Sequence, residues 1–140
     1  MHRKETMREQ PQDFEPASTF RSTGPFECGV FLDLNGQIDR LFSDTSVEPQ
    51  AGRKTKMLAR YAEFRIALVT MISGSRWSDH KTPARIFVQV LRGQIRFHTP
   101  GGTFELACGQ LLTLDPGVVH SVDSVADSAF LLTLSDVAGR

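Results

Sequence analysis

The feature that most constrains the fold of this chain is a change to two-residue periodicity from Lys56 onward. Apolar and polar residues alternate there in short runs, which are separated by turn sequences such as Arg92-Gly93 and Cys108-Gly109. The runs read KMLARY, FRIALVTMI, RIFVQVL, QIRFH, TFEL, QLLTL, VVHSV and AFLLTL. About eight short strands, with a turn signal roughly every 8–12 residues, are typical of a β-sandwich or small barrel. No helical pattern interleaves them, so we expect an all-β domain.

The segments before the barrel have a different character. Residues 1–26 are polar and contain three prolines, which predicts a flexible N-terminal arm. Residues 27–55 form a lead-in in which Asp33 is a candidate N-cap and the following apolar residues have helical spacing. The helical residues are Leu34, Ile38, Leu41 and Phe42, and the loop SVEPQAGRK follows. The sequence therefore predicts a short N-terminal helix ahead of a barrel over residues 56–140.

Length and charge indicate which classes of protein to expect. The chain has 140 residues, which suits one domain, and its 16 basic and 16 acidic residues balance. We therefore expect no nucleic-acid partner. There is no apolar run of about 18 residues and no secretory signal, so we expect no membrane partner and a cytoplasmic location. Cys28 and Cys108 have no redox spacing and are expected to be reduced packing residues.

The runs on either side of Arg92-Gly93 allow faces to be assigned. If this dipeptide is a two-residue hairpin loop, Val90 faces Ile95 and Val88 faces Phe97, so that these four residues share the inner face. The opposite face then carries Phe87, Gln89, Leu91, Arg96 and His98. Because Phe87 and Leu91 are apolar, we expect this second face to pack on another layer or another subunit.

Two groups of residues resemble the sequence motifs of the cupins. Gly74, His80 and Gly93 fit the first motif, G-x5-H-x-H-x3/4-E-x6-G, and the second, G-x5-P-x-G-x2-H-x3-N, is matched at Gly109, Pro116, Gly117 and His120. Asp115 and Ser124 stand at the proline and asparagine places. The resemblance covers Lys56 to Leu134. It implies a double-stranded β-helix, the jelly-roll cupin barrel, which usually forms a homodimer.

The resemblance also implies a metal position, but this sequence keeps only part of it. Cupin sites typically hold Fe, Mn, Ni, Zn or Cu with three histidines and one glutamate. Carried over to this chain, the ligand positions are His80, Thr82, Ile86 and His120. Two imidazoles are too few for a closed site, so a degenerate site is expected, with a weakly held divalent ion (Zn, Ni, Fe or Mn) on His80 and His120 as an alternative.

Three other polar residues could replace the missing ligands only if they faced inward. The assigned register places Gln89 and His98 on the outer face, although a bulge near Pro83 would change the parity of the first strand. Glu105 lies among alternating polar residues and is expected to face solvent.

The interior predicted from this pattern is a small, mostly apolar pocket. Ile86, Val88 and Phe97 line it, Trp77 forms a wall at the rim, and its polar groups are His80, Thr82 and His120. Such a pocket suits a small aromatic or carboxylic ligand. Three alternatives stay open: a purely structural histidine pair, a metal-dependent oxygenase or isomerase using His80 and His120, and a non-catalytic sensor or scaffold dimer. The sequence does not decide whether the protein is an enzyme.

Overall fold

The computed structural model describes residues 19–21 and 29–135. Most of the predicted N-terminal arm, Cys28 and the last five residues lie outside this part of the chain. The elements in chain order are β1 (Thr19–Arg21), β2 (Val30–Leu32), α1 (Leu34–Ser43), β3 (Arg53–Arg60), β4 (Phe64–Met71), β5 (Arg76–His80), β6 (Arg85–Arg92), β7 (Gln94–Thr99), β8 (Gly102–Ala107), β9 (Leu111–Leu114), β10 (His120–Ser124) and β11 (Ser128–Ser135).

The strands of the barrel form two antiparallel sheets. One sheet has the order β5-β10-β7-β8 and the other has the order β3-β4-β11-β6-β9, while β1 and β2 pair separately. The inner faces of the two sheets enclose a common core, as expected of packed antiparallel sheets. The prediction of an all-β double-sheet domain with a short N-terminal helix is therefore confirmed.

Each of the eight predicted runs is a strand, and the structure adds β5, which the sequence did not indicate. The β5 sequence RWSDH lacks alternating apolar residues, so no period-two signal marks it. Its strand conformation follows from antiparallel pairing with β10. The structure also starts β3 at Arg53, so Arg53 and Lys54 belong to a strand and not to the predicted loop.

The predicted hairpin between β6 and β7 is wrong. β6 pairs with β11 and β9, whereas β7 pairs with β10 and β8, so the chain passes from one sheet to the other at Gly93. The inner-face assignment nevertheless holds, because the inner sides of both sheets line the same core. Val88, Val90 and Ile95 are fully buried and Phe97 is 2% exposed.

Gly93 makes this passage possible. Its φ of +77° lies in the left-handed region that glycine adopts without strain. A Cβ at this position would lie 2.4 Å from the backbone oxygen of Asp127 and from the Ser128 hydroxyl. That hydroxyl accepts a hydrogen bond of 3.0 Å from the Gln94 amide, so β11 packs directly on the corner.

A second apolar cluster lies between α1 and the outer face of the five-stranded sheet. Its buried members are Ile38, Leu41, Leu58, Leu68 and Ala129, with Leu91 packed against them. The helix thus provides the additional layer that the apolar outer face of β6 predicts at Leu91. Asp33 occupies the N-cap position as expected, but its side chain makes no capping hydrogen bond.

Side chains from the barrel fix the helix at its C-terminal end. The Lys54 ammonium donates to the backbone oxygens of Leu41 and Asp44 at 3.1 and 2.8 Å, which satisfies carbonyls that have no partner within the helix. Arg92 forms an ion pair of 2.8 Å with Asp39.

Among the described residues, no helix has the length and apolar character needed to cross a membrane.

Replacing Gly93 with alanine should destabilise the fold more than the same change at Gly109. Gly109 has a similar φ of +88°, but a Cβ there would meet nothing within 4 Å. Gly109→Ala therefore introduces backbone strain alone, about 1–2 kcal/mol, and Gly93→Ala should cost roughly 2 kcal/mol more because its Cβ meets backbone atoms. Urea unfolding measures both values, and equal losses would show that the corner is not sterically closed.

Candidate functional site

A bulge in β5 brings Trp77 and His80 to the same side of the four-stranded sheet. In the pairing with β10, His80 lies opposite His120 and Trp77 lies opposite Val122. β5 thus advances three residues where β10 advances two, which is the signature of a β-bulge. Without the extra residue, side chains three positions apart would point to opposite faces. The bulge therefore lies just before His80, and not near Pro83.

His80 and His120 form the histidine pair of this site. Their ring centroids are 4.1 Å apart with the planes at 69°. The Nδ1 atom of His80 lies 2.8 Å from the carbonyl oxygen of Ser78, and that of His120 lies 2.9 Å from the carbonyl oxygen of Val118. A carbonyl oxygen only accepts, so both Nδ1 atoms donate, and each neutral ring keeps its lone pair on Nε2.

Aromatic side chains extend the pair in both directions. Trp77 stacks on His80 with ring centroids 4.5 Å apart and planes at 19°, and Phe97 stacks on His120 at 5.2 Å and 20°. The Arg53 guanidinium lies 4.1 Å from the centre of the Trp77 ring. A continuous series of flat groups therefore runs from Arg53 at the edge of the barrel to Phe97 in its core.

His120 is the more enclosed member of the pair, with 4% of its surface exposed. This burial lowers the pKa of His120 below the ordinary value of 6.5, because a charged imidazole loses hydration there. The hydrogen bond to Val118 acts in the opposite direction, and the nearby His80 adds to the lowering. We therefore expect His120 to be neutral at neutral pH.

His120 also borders a surface cleft of about 450 Å³. The cleft lies where the ends of β5, β7 and β10 meet, and its lining is mostly polar. Arg76, Asp79, His98, Val119 and Ser121 are among the other residues that line it. A volume of this size accommodates a small organic molecule, and His120 is the member of the pair that lines the cleft.

The outer face of the four-stranded sheet carries a polar network that includes two of the residues lining this cleft. Asp123 accepts hydrogen bonds of 2.7 Å from both Arg76 and His98, and the second nitrogen of His98 lies 2.9 Å from the Thr103 hydroxyl. Burial tends to raise the pKa of Asp123, but the hydrogen bonds from His98 and Arg76 outweigh it and hold the pKa below its ordinary value. Both ring nitrogens of His98 thus have hydrogen-bond partners on the outer face.

The remaining residues predicted to line the pocket take different positions. The hydroxyl of Thr82 accepts from the Ala84 amide at 3.2 Å, and its carbonyl accepts from Gly117 at 2.8 Å. Ile86 and Val88 are packed within the core cluster of the barrel, with 3% and 0% of their surface exposed. The structure thus brings Trp77, His80, Phe97 and His120 into contact, while Ile86 and Val88 support the core behind them.

The alternative metal donors considered from the sequence lie elsewhere. Gln89 is exposed on the outer face of β6, and exposed Glu105 accepts hydrogen bonds from Gln94 and Arg96. Within residues 29–135, no three or more His, Cys, Asp or Glu side chains come together in a way that could hold a metal ion. The four positions that the cupin motifs assign to metal ligands supply two imidazoles, one hydroxyl and one alkyl group, so the residues present do not fit the usual cupin metal.

Two residues of this region were not indicated by the sequence. Asp79 lines the cleft with His120, and Arg53 covers Trp77. Asp79 belongs to the strand that has no periodic signal, and Arg53 lies at the far edge of the other sheet. Only the pairing of strands distant in sequence brings them to the site.

Solved structures share this architecture. An RmlC-like cupin from Shewanella frigidimarina superposes with a TM-score of 0.60 at 19% identity, covering 64% of this chain and 80% of that one. KdgF from Halomonas sp. gives 0.60 at 17%, covering 63% and 82%. A conserved protein of unknown function from Streptococcus pyogenes gives 0.60 at 19%, covering 83% and 95%. This chain therefore has the double-stranded β-helix fold of these small cupin structures.

Within that class, residues 68–135 match the family model of the AraC-like ligand binding domain. The matched segment is just under half of the chain and runs from β4 to the end of β11. It contains both histidines of the pair, Trp77 and Phe97. No curated protein matches the chain significantly.

The stability of the protein should decrease as the pH falls through about 6.5, and His120 should contribute to that loss. Its pKa is lower in the folded chain, so between that value and 6.5 the unfolded chain binds more protons, and stability rises with pH there. We expect His120→Gln to lose less stability than the native protein between about pH 7.5 and about pH 5. Urea unfolding at both pH values measures this difference.

The Asp123 carboxylate does not account for a loss of stability in this pH range. Its pKa is lowered from an ordinary value of 3.8, so the stability it contributes is present above that value and lost only at more acidic pH. If the native protein and His120→Gln lose equal stability on acidification, His120 is not the group responsible.

Proposed function

We propose that this cupin domain binds a small aromatic acid through the histidine pair, without a tightly held metal. The observation that carries the proposal is the tautomer fixed at both rings: each Nδ1 donates to a backbone carbonyl, so each Nε2 is available to a ligand. Trp77 and Phe97 stack on the pair and hold its two imidazoles in place, and the cleft that His120 borders has room for a small molecule. The match of residues 68–135 to a ligand-binding domain supports the same class of function.

The chemistry of the pair favours an acid over a neutral ligand. A free Nε2 lone pair accepts the proton of a carboxylic acid, and the resulting imidazolium and carboxylate form a charge-assisted hydrogen bond. The low dielectric around buried His120 strengthens such a bond, while burial keeps His120 itself neutral before the ligand binds. Binding of the carboxylate should then be coupled to the uptake of a proton.

The donor set argues against tight metal binding. A catalytic zinc site uses about three protein ligands and a structural one uses four, whereas this pair supplies two imidazoles. The glutamate position of the cupin pattern is Ile86, which is buried in the core. A divalent ion would therefore lack the anionic donor of the cupin ligand set.

Titration of the native protein with benzoate tests the proposed function. Trp77 is the single tryptophan of the chain and stacks on His80, so its fluorescence reports binding at the pair. We expect saturable binding that becomes tighter as the pH falls from about 7.5 to about 5.5, because the complex takes up a proton. His80→Gln and His120→Gln should each weaken it by roughly tenfold or more, the loss expected for a charge-assisted hydrogen bond.

Benzyl alcohol is a matched control ligand, because it keeps the ring and loses the carboxyl group. It should bind more weakly than benzoate and with little dependence on pH. The proposal is contradicted if benzoate does not bind, or if it binds both glutamine variants as tightly as the native protein.

A second prediction concerns the metal. Native protein purified without a histidine tag should contain much less than one metal ion per chain. The double variant Thr82→His with Ile86→Glu restores the cupin set beside His80 and His120, so it should bind Ni²⁺ or Zn²⁺ tighter by orders of magnitude. Without metal it should be less stable by several kcal/mol, since Ile86 is buried and a buried carboxylate lacks hydration.

Isothermal titration and metal analysis measure both effects, with Ile86→Gln as the control that changes the core without adding a carboxylate. One tightly held ion per chain in the native protein would contradict the degenerate-site hypothesis.

A further inference from the structure

Arg53 occupies a position in the barrel that neither its sequence context nor the cupin pattern explains. It begins β3, the edge strand of the five-stranded sheet, while its guanidinium lies over Trp77 of β5, the edge strand of the four-stranded sheet. The contact therefore joins the two sheets along one open side of the barrel. His80 belongs to the same edge strand, β5, and therefore lies on this open side of the barrel.

The geometry places Trp77 between two flat groups. The Arg53 guanidinium carbon is 4.1 Å from the ring centre, and the imidazole of His80 stacks on the same ring at 4.5 Å. Two planar groups this close to one ring centre would overlap if they shared a face, so they lie on opposite faces. The indole is thus enclosed between Arg53 and His80.

Arg53 is itself well anchored. Its Nη2 atom donates to the side-chain oxygen of Gln50 at 2.9 Å, and the backbones of the two residues exchange hydrogen bonds of 2.8 and 3.0 Å. Arg53 is consequently held both at its backbone and at its guanidinium. A cation fixed in this way over an indole contributes an attraction that a freely moving surface arginine would lose to rotamer entropy.

We propose that Arg53 is the positioning residue of the histidine pair: it holds Trp77 against His80 and so fixes the position of the His80 imidazole in the ligand site. Arg53 acts through Trp77 and makes no direct contact with the ligand. The effect on ligand affinity rests on the function proposed above, whereas the effect on Trp77 is a property of the ligand-free protein. Positioning of this kind increases affinity because the His80 imidazole is ordered before the ligand arrives.

Two substitutions test the proposal, each measured by near-ultraviolet circular dichroism of Trp77 and by benzoate titration. Arg53→Gln removes the cation and keeps a side chain that can bond Gln50, while Arg53→Lys keeps the charge and loses the planar surface. We expect the Trp77 signal to fall in the order native, Lys, Gln. Benzoate binding should weaken about three- to tenfold in Arg53→Gln, in line with the strength of a cation–π contact.

Arg92→Met is the matched control, because it also removes a side-chain hydrogen bond of an arginine, but one that joins Asp39 of α1. Its Trp77 signal and benzoate affinity should equal those of the native protein. A native Trp77 signal in Arg53→Gln overturns the proposal. If that variant does not fold, a native signal in Arg53→Lys overturns it. Failure of the native protein to bind benzoate rejects the proposed function alone, since the Trp77 signals of the ligand-free variants still decide the role of Arg53.

Discussion

Between Arg92 and Gln94 the chain leaves one sheet and enters the other within a single residue, and Gly93 permits this step with a φ of +77°. Because β6 and β7 then belong to opposing sheets, the inner faces of two consecutive strands meet across the core and not side by side. Val88 and Val90 come from one sheet, and Ile95 and Phe97 come from the other. The close approach of β11 at Ser128 leaves no room for a side chain at the corner.

The histidine pair depends on a second local irregularity, the bulge in β5. A regular strand would place Trp77 and His80 on opposite faces, so the indole could not stack on the imidazole and also meet the core. The bulge instead aligns Trp77, His80, His120 and Phe97 in one series of ring contacts. The regular pairing of β7 with β8 and β10 contributes to the core, whereas the irregular edge strand β5 carries Trp77 and His80 of the site.

Hydrogen bonding and burial then determine the chemistry available to the pair. The backbone carbonyls of Ser78 and Val118 fix the proton of each neutral ring on Nδ1, and burial holds the pKa of His120 below its ordinary value. The outer-face network of Arg76, Asp123 and His98 is internally satisfied, so His98 does not complete a metal site. These constraints favour a pair of hydrogen-bond acceptors over a metal-binding centre, which is the basis of the proposed acid-binding function.

The amino-acid sequence alone determined the elements that local patterns control. Alternation over two residues identified eight of the barrel strands and the inward side of β6 and β7, and helical spacing identified α1, because burial selects apolar residues at the period of each element. The two histidines were likewise found from motif spacing. Tertiary structure decided the rest: which strands pair, the bulge in β5, and the contact of Arg53 with Trp77. These depend on hydrogen bonds and side-chain packing between segments far apart in the chain, which a local pattern does not encode.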